Sequence, residues 1–474
     1  MILGSGVVAA CVSDGATSSS SSGVLPDSGS SQSDGSTPGD VDASADAALD
    51  AGPPPTLDDA TMVTAGFEHT CALRANQDVV CWGSNANGQL GVAPTVTPQT
   101  SVPITVALPN GAKATSVTAG ARHTCALLTT GKIVCWGGNL EAQLGRAPLV
   151  DSAPSPDEVA APTEVPQHWK PASVVRAGGS HTMALVTTGL QINGKNSFFL
   201  WGWGKNAFLQ LLRDSGGFPA PKPLIATYDG LAPNANADKA LPFISVSLGD
   251  DFGCGHAFLP LPSGTLIEGV LCFGANGKGQ IGTAVPGQPN LGLMRTAPDK
   301  NMGLPRFVAT GSAHGCAVAG KEGGGEELYC WGDFAQGQTG AVTPPATPSY
   351  GAIVPGVSAG AITVLAAGGA NTCVVEGGKV RCIGANDEGQ LGSGAVDGKA
   401  HPSWSDVATG SASSVAIGKK HVCVVSGSAA GAPGKVSCWG LNRGGQLGDG
   451  MDLVAGYGNG TFSRATPLTV LAPR

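Results

Sequence analysis

Three kinds of residue in this chain invite a chemical reading, and they travel together. His69 stands two positions before Cys71, Cys81-Trp82-Gly83 follows, and Gly88-Gln89-Leu90-Gly91 closes the stretch. Residues i and i+2 of a strand share a face, so His69 and Cys71 could offer two ligands to zinc. A lone histidine in such a place would suggest catalysis, and a Gly-rich turn would suggest a phosphate cradle. The last reading fails at once, because no Gly-Lys-Ser/Thr follows the glycines.

Recurrence decides among the others. His123, Cys125, Cys135-Trp136-Gly137 and Gln143-Leu144-Gly145 repeat the set, and five more copies follow. Copy three carries His181, Met183, Trp203-Gly204 and Gln210. Copy four carries Cys254, Cys272-Phe273-Gly274 and Gly279-Gln280-Ile281-Gly282. Copies five, six and seven carry Cys316 with Cys330-Trp331-Gly332, Cys373 with Cys382-Ile383-Gly384, and Cys423 with Cys438-Trp439-Gly440. The histidine recurs as His69, His123, His181, His314 and His421, with Phe252 and Asn371 in its place elsewhere. A catalytic group is needed once, so five copies point to a structural role, such as an imidazole bonded to backbone in the next turn. Trp giving way to Phe273 or Ile383 marks an apolar packing slot. The turn glycines fit a tight turn with unusual backbone angles.

Each copy's two cysteines fall on consecutive short strands joined by a hairpin. Facing residues of antiparallel strands approach to about 4.5 Å at Cα, within disulfide range. Cys71–Cys81, Cys125–Cys135, Cys254–Cys272, Cys316–Cys330, Cys373–Cys382 and Cys423–Cys438 can each close inside one copy, at about 2–3 kcal/mol apiece in the chain-entropy model. Copy three has lost both partners: Met183 replaces the first, and Gly202 or Leu200 the second. Independent thiols would have no reason to vanish as a pair. Disulfides are therefore preferred over the rivals, free buried cysteines and zinc, and no Cys-x-x-Cys pair supports a metal site.

The elements that must position these residues are short strands. The chain has 73 Gly and 34 Pro among 474 residues, too many for a helical protein. Its period runs from about 50 to about 70 residues with about four strand candidates each, the size of a propeller blade. In copy two these are Ile104–Leu108, Ser116–Ala119, His123–Leu127 and Ile133–Trp136. The tandem His-x-x-Ala-Leu, Trp-Gly-x-Asn and Gly-Gln-Leu-Gly motifs resemble those of the regulator-of-chromosome-condensation repeat family. That resemblance covers residues 61–474 and implies an all-β, seven-bladed β-propeller.

The termini suggest how the ring closes. A Pro-x-x-Val strand such as Pro103-Ile104-Thr105-Val106 is expected to open each blade, and copy one lacks one. The chain ends on Pro467-Leu468-Thr469-Val470, which is expected to pair into the first blade and complete it.

Residues 1–60 differ in kind. They hold nine Asp and no Lys, Arg, Glu or His; the remainder has 25 acidic and 26 basic residues. A nearly neutral repeat region lacks the basic excess of a nucleic-acid binder. Val8-Ala9-Ala10-Cys11 resembles a bacterial lipobox whose cysteine is lipidated, with a plain cleaved signal or a chance apolar start as alternatives. The absence of a basic n-region suggests that the true start lies upstream of Met1. The expected organisation is 1–11, a signal-peptide remnant; 12–60, a disordered Ser/Asp/Gly/Pro-rich tether; and 61–474, the propeller. Paired cysteines and this leader suggest an exported, monomeric protein, held at a bacterial envelope by a lipid on Cys11 or free outside the cell.

Repeated residues build scaffold, so function is expected where copies differ. The long insertions Arg146–Pro166, Arg213–Pro242 and Thr283–Pro305 follow the Gly-Gln-Leu-Gly turn. Thr187–Ser197, Leu259–Glu268 and Ala319–Glu327 widen the hairpin between the Cys strands, at the opposite end of the blade. Trp169, Phe218, Tyr228, Met294, Met302 and Phe307 lie in or near the first set as candidate partner-binding residues, although such loops can also pack on their own blades. No Ser-His-Asp set, His-Glu-x-x-His or carboxylate pair stands out, and no cofactor or metal is expected. The expected function is a non-enzymatic protein-binding propeller. An enzyme acting on a polysaccharide or peptide is the alternative, and a guanine-nucleotide exchange factor or chromatin binder, as the family resemblance implies, is less favoured. A purely structural surface protein is the remaining reading.

Overall fold

The computed structural model describes residues 54–473 except 147–151, 159–170, 193, 213–219, 226–241, 261–265, 286–287, 298–299, 322, 342, 344–350, 428–430, 452, 455 and 457–461. The regular secondary structure of the described residues is nearly all strand. Five repeats form separate four-stranded antiparallel sheets, and repeats three and four share one nine-stranded sheet. The first sheet shows the plan: an inner strand Ala60–Ala65, then His69–Arg74, Val79–Ser84 and an outer strand Gln99–Thr105. The inner strands touch in a closed cycle: Ala60–Ala65, Ala114–Ala119, Ala172–Ala177, Pro242–Leu248, Pro305–Thr310, Ile362–Gly368, Ala412–Ile417, and back to the first. The architecture is that of a β-propeller.

The two middle strands of each sheet are covered on both faces by neighbouring sheets. That is why His69–Leu73 and Val79–Gly83 are buried at every position instead of alternating. Trp82, Trp136, Trp203, Trp331 and Trp439 are all 2% exposed or less. A buried indole removes roughly 200 Å² from water, about 5 kcal/mol of gross transfer free energy each. The core is consequently a set of inter-sheet layers. Leu57, Val63 and Trp82 of the first repeat, for example, pack with Val425, Val436 and Leu447 of the seventh.

The structure corrects the expected ring closure. The Pro-x-x-Val strand is the outer strand of the repeat that precedes it, because the Gly-Gln-Leu-Gly turn folds it back antiparallel: Cys81 faces Ile104, and Cys438 faces Leu468. The C-terminal strand Ser463–Thr469 therefore completes the seventh sheet, and the first sheet is complete without it. Closure instead uses residues expected to belong to the tether. Leu57 N–H donates to Val470 O at 3.0 Å, Val436 N–H to Leu57 O at 2.9 Å, and Ala472 N–H to Pro55 O at 2.8 Å. Leu57 and Val470 occupy at this junction the place that the covalently linked Leu108 and Val106 occupy at the next. The fold thus begins before residue 61, with Leu57 only 1% exposed.

Because successive strands run antiparallel, the connections alternate between the two ring faces. The inner-to-second turns and the Gly-Gln-Leu-Gly turns share one face, called here the turn face. The hairpins between the Cys strands and the inter-repeat links lie on the other, the hairpin face.

Candidate interaction face

The repeated polar residues bond one repeat to the next. Thr124 Oγ1 lies 2.9 Å from His69 Nε2 and 2.9 Å from Gln89 O, both in the preceding repeat. A carbonyl only accepts, so Thr124 donates to Gln89 O and accepts from Nε2–H, which fixes the imidazole tautomer. Trp136 Nε1–H donates to the same carbonyl at 3.0 Å. Equivalent relays join His123, Thr182, Trp203 and Gln143, and His421, Thr70, Trp82 and Gln446. His314 and Thr372 repeat the pair at 2.9 Å. The histidine is structural as expected, but the partner of His69, His123, His314 and His421 is a side-chain hydroxyl of the neighbouring repeat; His181, opposite Gly253 of repeat four, has no such hydroxyl to meet. The tryptophan is a hydrogen-bond donor as well as a filler.

These imidazoles are held neutral. Burial, as the leading cause, lowers His69, His123, His181 and His421 to about 3 and His314 to about 4. Each ring lies against a glycine: a Cβ on Gly66 would stand 2.3 Å from His69 Cε1, and one on Gly120 2.2 Å from His123 Cε1. The turns are equally committed. Gln89 Oε1 accepts from Asn87 N–H at 2.8 Å, Asn85 Oδ1 accepts from Leu90 N–H at 2.9 Å, and Gly88 and Gly91 take φ of 81° and 78°.

The cysteines stand where hairpin geometry put them. The six expected pairs face each other in register, with sulfurs 2.03–2.10 Å apart, at disulfide distance. In repeat three the slot is Met183 facing Gly202, and a Cβ on Gly202 would stand 3.2 Å from the Met183 methyl, so Met183 fills the vacated space. Among the described residues no group of three or more His, Cys, Asp or Glu side chains could hold a metal ion.

The candidate binding residues fare differently. Trp169, Phe218 and Tyr228 lie outside the described residues, as does Cys11. Met294 and Met302 are 0% and 2% exposed and pack with Phe252, Tyr329 and Trp331, so they are core residues and not a contact surface. The insertion carrying them folds into short strands, with Met302 N–H bonded to Met294 O at 3.2 Å. Phe307 is half-buried on an inner strand beneath the Arg306 guanidinium, 4.5 Å from its ring.

Part of what the copies do not share lies on the turn face around the channel mouth. The residue after the mouth glycine is Phe67, Ala121, Gly179, Asp250, Ser312, Gly369 or Lys419 in successive repeats. Lys419 Nζ spans the mouth, 3.0 Å from Asp250 Oδ2 and 2.9 Å from Ser312 Oγ, and sits 4.7 Å from the Phe67 ring centre. Beside it a groove of about 540 Å³ is lined by Phe67, Glu68, Arg122, Lys420 and Arg443, among others. Lys420 is raised above its ordinary value, chiefly by its hydrogen bond to Asp387. Glu68, Arg122 and Arg443 are exposed, as are Leu140 and Phe208 on the turns of repeats two and three. Charged and aromatic groups around a shallow groove suit a protein surface. Lining up the copies on their mouth glycines would have exposed this pattern in the sequence.

Comparison with known proteins agrees with the fold. A regulator of chromosome condensation (RCC1) repeat model matches residues 78–127, and a second model of the same repeat matches 63–89 and 114–143. The chain is 29% identical over 227 residues to the probable E3 ubiquitin-protein ligase HERC6 of Homo sapiens, covering 47% of this chain and 19% of that protein. It is 32% identical over 151 residues to the ultraviolet-B receptor UVR8 of Arabidopsis thaliana, covering 32% and 30%. The match thus spans less than a third of either relative. Among solved structures, Prp20p from Saccharomyces cerevisiae superposes with a TM-score of 0.61 at 18% identity over 87% of this chain and 88% of that one. Human WBSCR16 does so at 0.59 and 17% identity over 76% and 85%.

Proposed function

The chain is a β-propeller built of regulator-of-chromosome-condensation repeats, and on that footing we propose that it is an exported, non-enzymatic protein-binding scaffold that engages its partner through the turn face. One observation carries the reading. The residues common to the repeats are bonded to one another across the junctions, while the unshared charged and aromatic residues Phe67, Arg122, Lys419 and Arg443 collect around one groove and the channel mouth.

The propeller of Prp20p is described together with binding to Gsp1p and histones, so protein binding by this fold has precedent in that protein. Export rests on the six cysteine pairs, which suit an oxidising compartment. Tethering at an envelope rests on the lipobox-like Cys11 and the Asp-bearing stretch after it.

The test has two arms. Alkylation and mass measurement of the protein from its native host should find the twelve repeat cysteines oxidised; twelve free thiols would remove the case for export. A variant combining Phe67→Ala, Arg122→Glu and Arg443→Glu should lose the partner captured by the parent chain from envelope extracts while keeping its melting temperature. Equal capture by both would contradict the turn-face assignment.

A further inference from the structure

Two residues before each channel-mouth glycine the inner strands carry Thr64, Thr118 and Ser247 in repeats one, two and four, and alanine in repeats five to seven. The three hydroxyls act alike. Each accepts a backbone N–H of the next repeat, from Ala119, Ala177 and Thr310 respectively, all at 3.1 Å. Repeat three has Arg176 there instead. A guanidinium only donates, so this junction has exchanged a scaffold bond for a cation.

That cation faces the central channel. Arg176 and Arg306 line a cavity of about 360 Å³ enclosed by the inner strands, and no Asp or Glu lines it among the described residues. Arg306 is already satisfied: it bonds both Glu326 carboxylate oxygens at 3.0 Å and the carbonyls of Ile362 and Ala359 at 2.7 Å. Among the described residues Arg176 makes a single hydrogen bond, from Nη1 to the adjacent Val175 carbonyl at 2.9 Å. Desolvation lowers its pKa to about 10, which leaves it charged at neutral pH. The side chain is half-buried at the cavity wall, and an anion seated on its fork would neutralise it with two parallel N–H···O bonds.

We propose that the central channel is a binding site for a small oxyanion, carboxylate or phosphate, recognised by Arg176. The site is separate from the turn face and does not depend on how that face is used. Lys419 and Asp250 bridge the turn-face mouth, so entry is from the hairpin-face end, where Arg306 lies.

Titration calorimetry on the full chain tests this, with inorganic phosphate in one arm and succinate in the other, at constant ionic strength set by chloride. The expected result is one-to-one saturable binding of at least one of the two, weakened about tenfold or more in Arg176→Thr. The arm that saturates identifies the class of anion. Threonine is the residue that repeats one and two use at this position, so the variant should fold, and its ligand-free melting temperature should equal or exceed the parent's. Saturation by neither anion, or unchanged affinity in Arg176→Thr, would overturn the proposal.

Discussion

His421 Nε2 lies 2.9 Å from Thr70 Oγ1, although 351 residues separate them in sequence. Thr70 in turn lies 2.9 Å from Gln446 O, so the last repeat grips the first with the same relay that joins repeats one and two. Thr70→Val removes the acceptor for a buried imidazole N–H and the donor to a buried carbonyl. The expected loss is about 2–3 kcal/mol in denaturant unfolding. Val422 occupies the corresponding slot of repeat seven, so the shape itself is tolerated.

Acid should unfold this protein early. Five buried imidazoles are held down, four at about 3 and one at about 4, against an ordinary value of 6.5. Above 6.5 they are neutral whether folded or not. Below it the unfolded chain takes up protons that the folded chain refuses, so stability falls as pH drops from about 6.5 toward the folded values. Each histidine contributes at most about 1.4 kcal/mol per pH unit. Urea midpoints at pH 7.5 and 5.0 should therefore differ sharply, and equal midpoints would contradict buried neutral imidazoles.

The mouth glycines are required by contact. A Cβ at Gly120 would lie 2.2 Å from His123 Cε1 and 2.5 Å from Gly178 O, the second a backbone atom of the next repeat. Gly120→Ala is expected to cost about 3 kcal/mol or more, or to prevent folding. Gly111→Ala serves as a control for side-chain contact, since nothing lies within 4 Å of a Cβ there, although its φ of 66° adds a smaller backbone cost.

The termini should matter together. Leu57→Ala empties a buried site beside Val470 and Val436 and should cost about 2–4 kcal/mol. Deleting 463–474 removes the outer strand of the seventh sheet together with Val470 and Ala472, the partners of Leu57 N–H and Pro55 O, and should lower the melting temperature further. An unchanged melting temperature for either variant would sink this mode of ring closure.

Much of the scaffold is legible in the chain because repetition turns single residues into a pattern. The loss of both cysteines in repeat three points to pairing, and Met183 facing Gly202 is the geometry behind it. Ring closure is harder. A Pro-x-x-Val strand lies between two repeats in sequence, and only the register, Cys81 against Ile104, says which sheet it joins. The His–Thr–Gln relay joins different repeats, so motif spacing within one copy does not reveal it. Met294 and Met302 mislead because a long insertion reads as exposed, whereas their apolar side chains find a core. Arg176 escapes a search of the loops because it lies in a scaffold strand.

Photo-crosslinking from the two faces tests the proposed function most directly. A benzophenone side chain at Arg122, exposed on the turn face, and one at Asn76, exposed on a hairpin of the opposite face, would be compared in the native host. The account predicts a discrete protein adduct from position 122 and none from position 76. Adducts from position 76 alone, or none from either, would contradict it.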